Sequence, residues 1–156
     1  MMKRRLIYSF CLMLIVTLLP LIARAKNQRV FGIGVILGEP TGLSAKLWTG
    51  RTTALDGALA WSFGREDAFH LHGDFLFHDY HLIKVSEGKL PVYYGIGGRL
   101  KLELESLLGV RFPLGLNYQF AKAPLDLFIE IVPILELIPA TDFNMNAAIG
   151  MRFYFD

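Results

Sequence analysis

Residues 108–120, LGVRFPLGLNYQF, decide the fold. Leu108, Val110, Phe112, Leu114, Leu116, Tyr118 and Phe120 fall on one side of an extended chain, and Gly109, Arg111, Pro113, Gly115, Asn117 and Gln119 fall on the other. A period of two means a strand with one apolar face. The same alternation recurs seven times, over residues 31–37, 43–48, 55–63, 69–78, 92–101, 125–132 and 143–155. Between these segments lie turn-like pieces such as Glu39-Pro40-Thr41-Gly42, Thr49-Gly50-Arg51 and Ala121-Lys122-Ala123-Pro124, built from residues that interrupt strands. Residues 84–90, KVSEGKL, are the longest soluble-looking connection.

The two faces differ in a way that fixes which is the inside. In a soluble sandwich or barrel the exterior is rich in Lys, Glu and Asp. Here the apolar rows are almost uncharged in all eight segments. The opposite rows mix small residues (Gly34, Ala58, Gly95, Gly97, Gly115, Ala148, Gly150) with single charges of both signs and with histidine. Lys46, Asp56, His70, His72, Asp74, His78, Arg99, Lys101, Arg111, Glu130 and Arg152 form this expected polar network. Small residues beside isolated opposite charges suit a narrow lumen filled by side chains, where each charge needs a partner. The apolar rows carry aromatics near segment ends: Phe31, Trp61, Phe63, Phe69, Tyr94, Tyr118, Phe120, Phe143, Phe153 and Phe155. That placement predicts aromatic girdles at two membrane interfaces.

The expected fold is all-β, an eight-stranded antiparallel up-and-down transmembrane β-barrel. Within a bilayer every backbone polar group must be paired, so strands can span only as a closed barrel, each using about 9–11 residues. Pro113 and Pro133 lack the N–H that a ladder needs, and a bulge, strand end or kink is expected at each. With the N-terminus in the periplasm, the external connections are 38–41, 64–68, 103–107 and 137–142. They are short, which argues against adhesion through extended loops.

Composition agrees. Of 156 residues, 53% are hydrophobic and 19% charged, against about 25% charged in an ordinary globular domain. Residues 1–25, MMKRRLIYSFCLMLIVTLLPLIARA, join a basic start to an apolar run and an Ala23-Arg24-Ala25 site, which is the pattern of a cleaved signal peptide. The competing reading is an uncleaved anchor, because Leu6 to Ala23 spans 18 residues. The domain division is therefore 1–25 signal peptide and 26–156 barrel. Four of the 16 basic residues and none of the 14 acidic ones lie in the signal, so the formal charge of +2 becomes 12 against 14, or −2. Cys11 leaves with it, and the mature chain has no thiol chemistry. No Lys/Arg run makes a nucleic-acid patch.

The sharpest chemical signal is the fourth segment, FHLHGDFLFHD, with His70, His72, Asp74 and His78 on one face. Two His and an Asp are zinc-ligand types, and His with Asp can act as base and orienter. Residues in one row diverge unless another strand completes the site, with Glu130 or Asp126 the best contributor. The preferred reading is therefore of hydrogen-bonded lumen residues, without metal, cofactor or catalytic group. Gly95-Ile96-Gly97-Gly98 lacks the third glycine and following helix of a nucleotide loop. Glu103, Glu105, Asp79 and Glu87 read as solvated loop charges.

This pattern, with a last strand ending Arg152-Phe153-Tyr154-Phe155, resembles the small outer-membrane β-barrel proteins of Gram-negative bacteria and is similar to the OmpA-like transmembrane domain. The run Gly32-Ile33-Gly34-Val35-Ile36-Leu37-Gly38-Glu39-Pro40-Thr41-Gly42, the Asp56-Gly57-Ala58 turn into strand three, and Val132-Pro133-Ile134-Leu135 with Pro139 look like a bacterial family of predicted outer-membrane barrels. The resemblance covers residues 29–156 and implies an architecture, not a reaction. It implies an outer-membrane location, contact with outer-membrane lipids, and recognition of the aromatic last strand by the export and barrel-assembly machinery. Asp156 departs from it by following the expected terminal Phe. A monomeric protein with a structural or interaction role and a salt-bridged, non-porous lumen is the leading expectation. The alternatives are a lipid-modifying or metal-dependent enzyme centred on the strand-four His/Asp row, and a periplasmic lipocalin-like barrel with the faces exchanged. The lipid A deacylases of this size use a His-x-Ser pair, which this sequence lacks.

Overall fold

The computed structural model describes residues 30–62, 68–102 and 106–155, with the side chains of Trp61, Ser62 and Ala68 outside the description. The signal peptide, Phe63, Glu103, Glu105, Asp156 and the greater part of the expected connections 64–68 and 103–107 lie outside the described residues. The described residues form nine strands: β1 Phe31–Gly38, β2 Gly42–Trp48, β3 Thr53–Ser62, β4 Ala68–Asp79, β5 Val92–Leu102, β6 Leu107–Arg111, β7 Leu114–Gln119, β8 Leu125–Ile138 and β9 Asp142–Phe155. All pairings are antiparallel, and β1 pairs with both β2 and β9, so the sheet closes into a ring.

β6 and β7 are successive halves of one strand. Both pair with β5 and β8, and the register is continuous across the gap, from Gly97↔Arg111 to Tyr94↔Leu114 and from Arg111↔Ile134 to Leu114↔Ile131. The ring is thus eight-stranded. The gap is at Phe112-Pro113, where Gly95 donates to the Pro113 carbonyl but receives nothing back, because proline has no N–H. Pro133 behaves differently from the expectation: β8 runs through it without a break. Its missing donor faces Phe112, whose own N–H still reaches the Pro133 carbonyl at 2.9 Å. The two prolines therefore share one interruption. The register shift in this part of the wall falls elsewhere, between Leu108 and Gly109. Asp56-Gly57-Ala58 is no turn either; it lies inside β3, with Asp56 opposite Lys46 and Asp74.

Following partners around the ring from Gly32 gives Lys46, Asp56, Asp74, Gly97, Arg111, Ile134 and Asn144. The walk returns to β9 ten residues from Tyr154, the β9 residue that actually pairs with Gly32. Such a stagger is what tilted strands need in order to close. Its consequence is that residues far apart in sequence form oblique rows across the interior.

The connections alternate between two ends. One end carries the tight turn 39–41, where Gly38 adopts φ +129° and exchanges hydrogen bonds with the Thr41 hydroxyl, and the turn 139–141. The other end carries Val30 and Phe155, where the described chain begins and ends, residues 49–52 and 120–124, and the long 80–91 connection, which is tied to the wall through Lys89 and Gln119. The interior is mixed: Ile36, Ala58, Leu76, Tyr93, Phe128 and Ala148 form an apolar cluster within a predominantly charged lumen.

Candidate functional site

The lumen concentrates the chain's ionisable chemistry. Arg111 is 0% exposed, and its Nε donates to both Asp74 carboxylate oxygens at 3.1 and 3.2 Å, while its second guanidinium nitrogen lies 3.6 Å from Glu130. Arg152 is similarly buried; it donates to Asp56 at 2.8 Å and to the Ser44 hydroxyl at 2.9 Å, lies 3.7 Å from Asp126, and stacks over the Phe128 ring at 3.9 Å. Arg99 pairs with Glu136. Tyr93 donates to Glu130 at 2.7 Å and Tyr154 to Asp126 at 2.6 Å.

Glycine makes this geometry possible. Asp74, Gly97 and Arg111 are consecutive in one cross-strand row, and the Arg111 side chain reaches over Gly97 to Asp74. A Cβ on Gly97 would meet Asp74 Oδ1 and the Gly73 carbonyl oxygen. The arrangement repeats: Tyr93 crosses Gly115 to Glu130, Arg99 crosses Gly109 to Glu136, and Arg152 crosses Gly34 to Ser44. Each of these four glycines leaves the space through which an arginine or tyrosine on one strand reaches a carboxylate or hydroxyl two strands away. Such charge-assisted contacts replace part of the water that these groups give up on burial, while Arg111 Nη1 and Nη2 and Arg152 Nη1 are buried without a hydrogen-bond partner among the described residues.

Lys46 is the exception among the buried cations. Its Nζ is 2.7 Å from His78 Nε2 and sits over the rings of Trp48 and Tyr93 at 4.6 and 5.4 Å. The expected row on β4 therefore does not converge. His78 is engaged by Lys46 and by the Thr52 carbonyl at 3.3 Å, Asp74 by Arg111, and His72 Nε2 stands 3.9 Å from Asp74 Oδ2. His70 and Lys101 are half-buried and face each other across β4 and β5. Among the described residues, no group of three or more His, Cys, Asp or Glu side chains is placed to hold a metal ion.

Sequence reasoning named eleven polar residues for this network, with Asp126 as a possible contributor, and left out Ser44, Tyr93, Asn117, Asn146 and Tyr154, all of them buried. Their signal was present in parity, since each lies on the inward row of its strand. Of the aromatics expected at the interfaces, Phe31, Tyr94, Phe143, Phe153 and Phe155 are exposed, whereas Phe69, Tyr118 and Phe120 are half-buried. Tyr118 stacks edge-on against Phe120, and Phe153 against Phe155. The side chains of Trp61 and Phe63 lie outside the described residues.

With this geometry in hand, the chain is similar to a solved barrel. It matches the N-terminal β-barrel domain of Pseudomonas aeruginosa OprF with a TM-score of 0.59, covering 83% of this chain and 100% of that one at 13% identity. The two share a β-barrel fold. No protein-family model and no curated protein sequence matches the chain. At this identity the likeness to the OprF domain concerns architecture, and the lumen is read from its own contacts.

Proposed function

We propose that this chain, once exported and freed of residues 1–25, is an integral outer-membrane barrel with a structural or interaction role, held by a salt-bridged plug that does not conduct. The observation that carries the reading is the inversion of the faces. Val35, Leu43, Leu71, Ile96, Ile129 and Ile149 all point out of the ring and are exposed, while Lys46, Arg99, Arg111 and Arg152 are buried inside it. In water this would be an apolar patch far beyond what monomeric soluble proteins carry; against lipid tails it is the expected surface. A lipocalin-like carrier needs the opposite, an apolar interior, and Arg111 and Arg152 at the centre argue against it.

The plug follows from the same contacts. Eight-stranded lumens are just wide enough for side chains to fill, and here buried arginine, tyrosine and phenylalanine side chains occupy it, the arginines reaching carboxylates two or three strands away. Outer-membrane lipids are the principal partners, and the outward Phe153 and Phe155 of β9 supply the aromatic ending for assembly. The enzyme alternative is disfavoured because Asp74 and His78 are already engaged by Arg111 and Lys46. Planar-bilayer recordings of the refolded protein test the plug: currents at background support it, and stable open channels overturn it. Extraction tests the location, since a mature protein that is monodisperse without detergent would exclude the membrane reading.

A further inference from the structure

We infer that the barrel mouth at the Val30 and Phe155 end of the ring is a binding site for a small planar aromatic carboxylate. A recess of about 480 Å³ opens there, within the size range of small-molecule sites. Four rings form its walls, those of Trp48, Tyr80, Phe120 and Tyr154. Among the described residues its charged lining is Arg51 and Lys89, with no acidic side chain. A flat apolar body between the rings with a negative group at the cationic rim uses both features. The side-chain amide nitrogen of Gln119 already donates to Tyr80 and Asn117, both at 3.1 Å, which leaves the cations as the main polar donors to a ligand.

The recess is built rather than incidental. Gln119 and Lys89 exchange backbone hydrogen bonds at 3.0 and 2.7 Å, which lays the 80–91 connection along β7 as one wall. Gly88 permits this approach: it has φ +75°, and a Cβ there would come within 2.6 Å of the Gln119 carbonyl oxygen. Burial pushes the Tyr80 phenol up, so its hydroxyl adds no negative charge. Beneath the recess, Asp126 Oδ2 accepts from Tyr154 at 2.6 Å and lies 3.7 Å from Arg152, so that carboxylate is neutralised within the lumen. Among the described residues, no carboxylate pairs with either rim cation. Glu87, the acidic residue beside Lys89 in sequence, is paired with Lys122 at 2.8 Å, and Lys89 itself rests 5.7 Å from the Tyr80 ring. An aromatic anion would lie between that ring and Trp48 with its carboxylate toward Arg51 and Lys89.

The mature chain has two tryptophans, so Trp61→Phe leaves Trp48 in the recess as sole reporter. This variant, refolded in zwitterionic detergent and verified as folded by its heat-dependent gel mobility, is titrated with p-nitrobenzoate and with neutral p-nitrobenzamide. Saturable quenching by the carboxylate is expected, with the amide about five- to tenfold weaker. Arg51→Gln with Lys89→Gln should weaken the carboxylate by a similar factor, the range of two exposed charge contacts, and Lys84→Gln, outside the recess, should change nothing. Linear, non-saturating quenching by both probes, or equal affinity in the Arg51/Lys89 variant, overturns the inference. A failed mobility shift would instead count against the barrel itself.

Discussion

Replacing Arg111 by Met keeps most of the side chain's volume and removes one charge from between two carboxylates. The Asp74 and Glu130 side chains are only 3% and 4% exposed, so neither can recover its hydration without opening the wall. Removing one partner of a buried pair costs about 3–5 kcal/mol, or roughly two to three and a half powers of ten in the folding equilibrium. The remedy is equally specific. Arg111→Met combined with Asp74→Asn and Glu130→Gln removes all three charges, and the amide oxygen placed at position 130 still accepts from Tyr93. Most of the loss should therefore return, since neutral replacement of a buried pair is often tolerated. Urea titration in phosphatidylcholine vesicles, followed by tryptophan fluorescence, measures both variants. A single-variant loss below about 1 kcal/mol, the range of exposed ion pairs, would refute the buried network. So would a triple variant no more stable than the single one.

Two further outcomes separate packing from lipid contact. Gly97→Val should abolish or severely lower refolding yield, because its Cβ collides with Asp74 and the Gly73 carbonyl, whereas Gly73→Ala, with nothing nearer than the Asp56 carbonyl oxygen at 3.9 Å, should refold normally; equal yields on gel mobility would discredit the crossing geometry. Ile129→Arg, outward and paired with Ile149 midway along β8 and β9, should cost about 2–4 kcal/mol in vesicles. Phe143→Arg, 62% exposed near the end of β9, should cost about 0–1 kcal/mol. A loss within about 0.5 kcal/mol at both positions, as on a water-facing surface, would contradict a lipid-facing exterior.

The strands and their faces were legible because alternation is local: 108–120 declares an apolar row whatever it pairs with. Arg111 was legible as an inward charge for the same reason. Its partner was not, because Asp74 lies 37 residues away and is brought opposite only by the ring's stagger. The glycines were readable as space, but that Gly97 is the opening between Arg111 and Asp74 depends on register. Pro133 was misread as an interruption for a related cause. A missing donor breaks a strand only where the neighbour demands it, and Phe112-Pro113 opposite had already broken the ladder. Tyr93 and Tyr154 were passed over because tyrosine is at home on either face; burial and a carboxylate at each hydroxyl, Glu130 and Asp126, decide the matter.

The central claim is a closed barrel that turns its apolar face to lipid and its charges inward. Gel mobility of the refolded mature protein in dodecyl sulfate, unheated and boiled, tests it most directly. The account predicts two bands of different mobility, the unheated species surviving the detergent because no strand edge is free and the ion pairs are sealed from it. One band at the same position before and after boiling would contradict it.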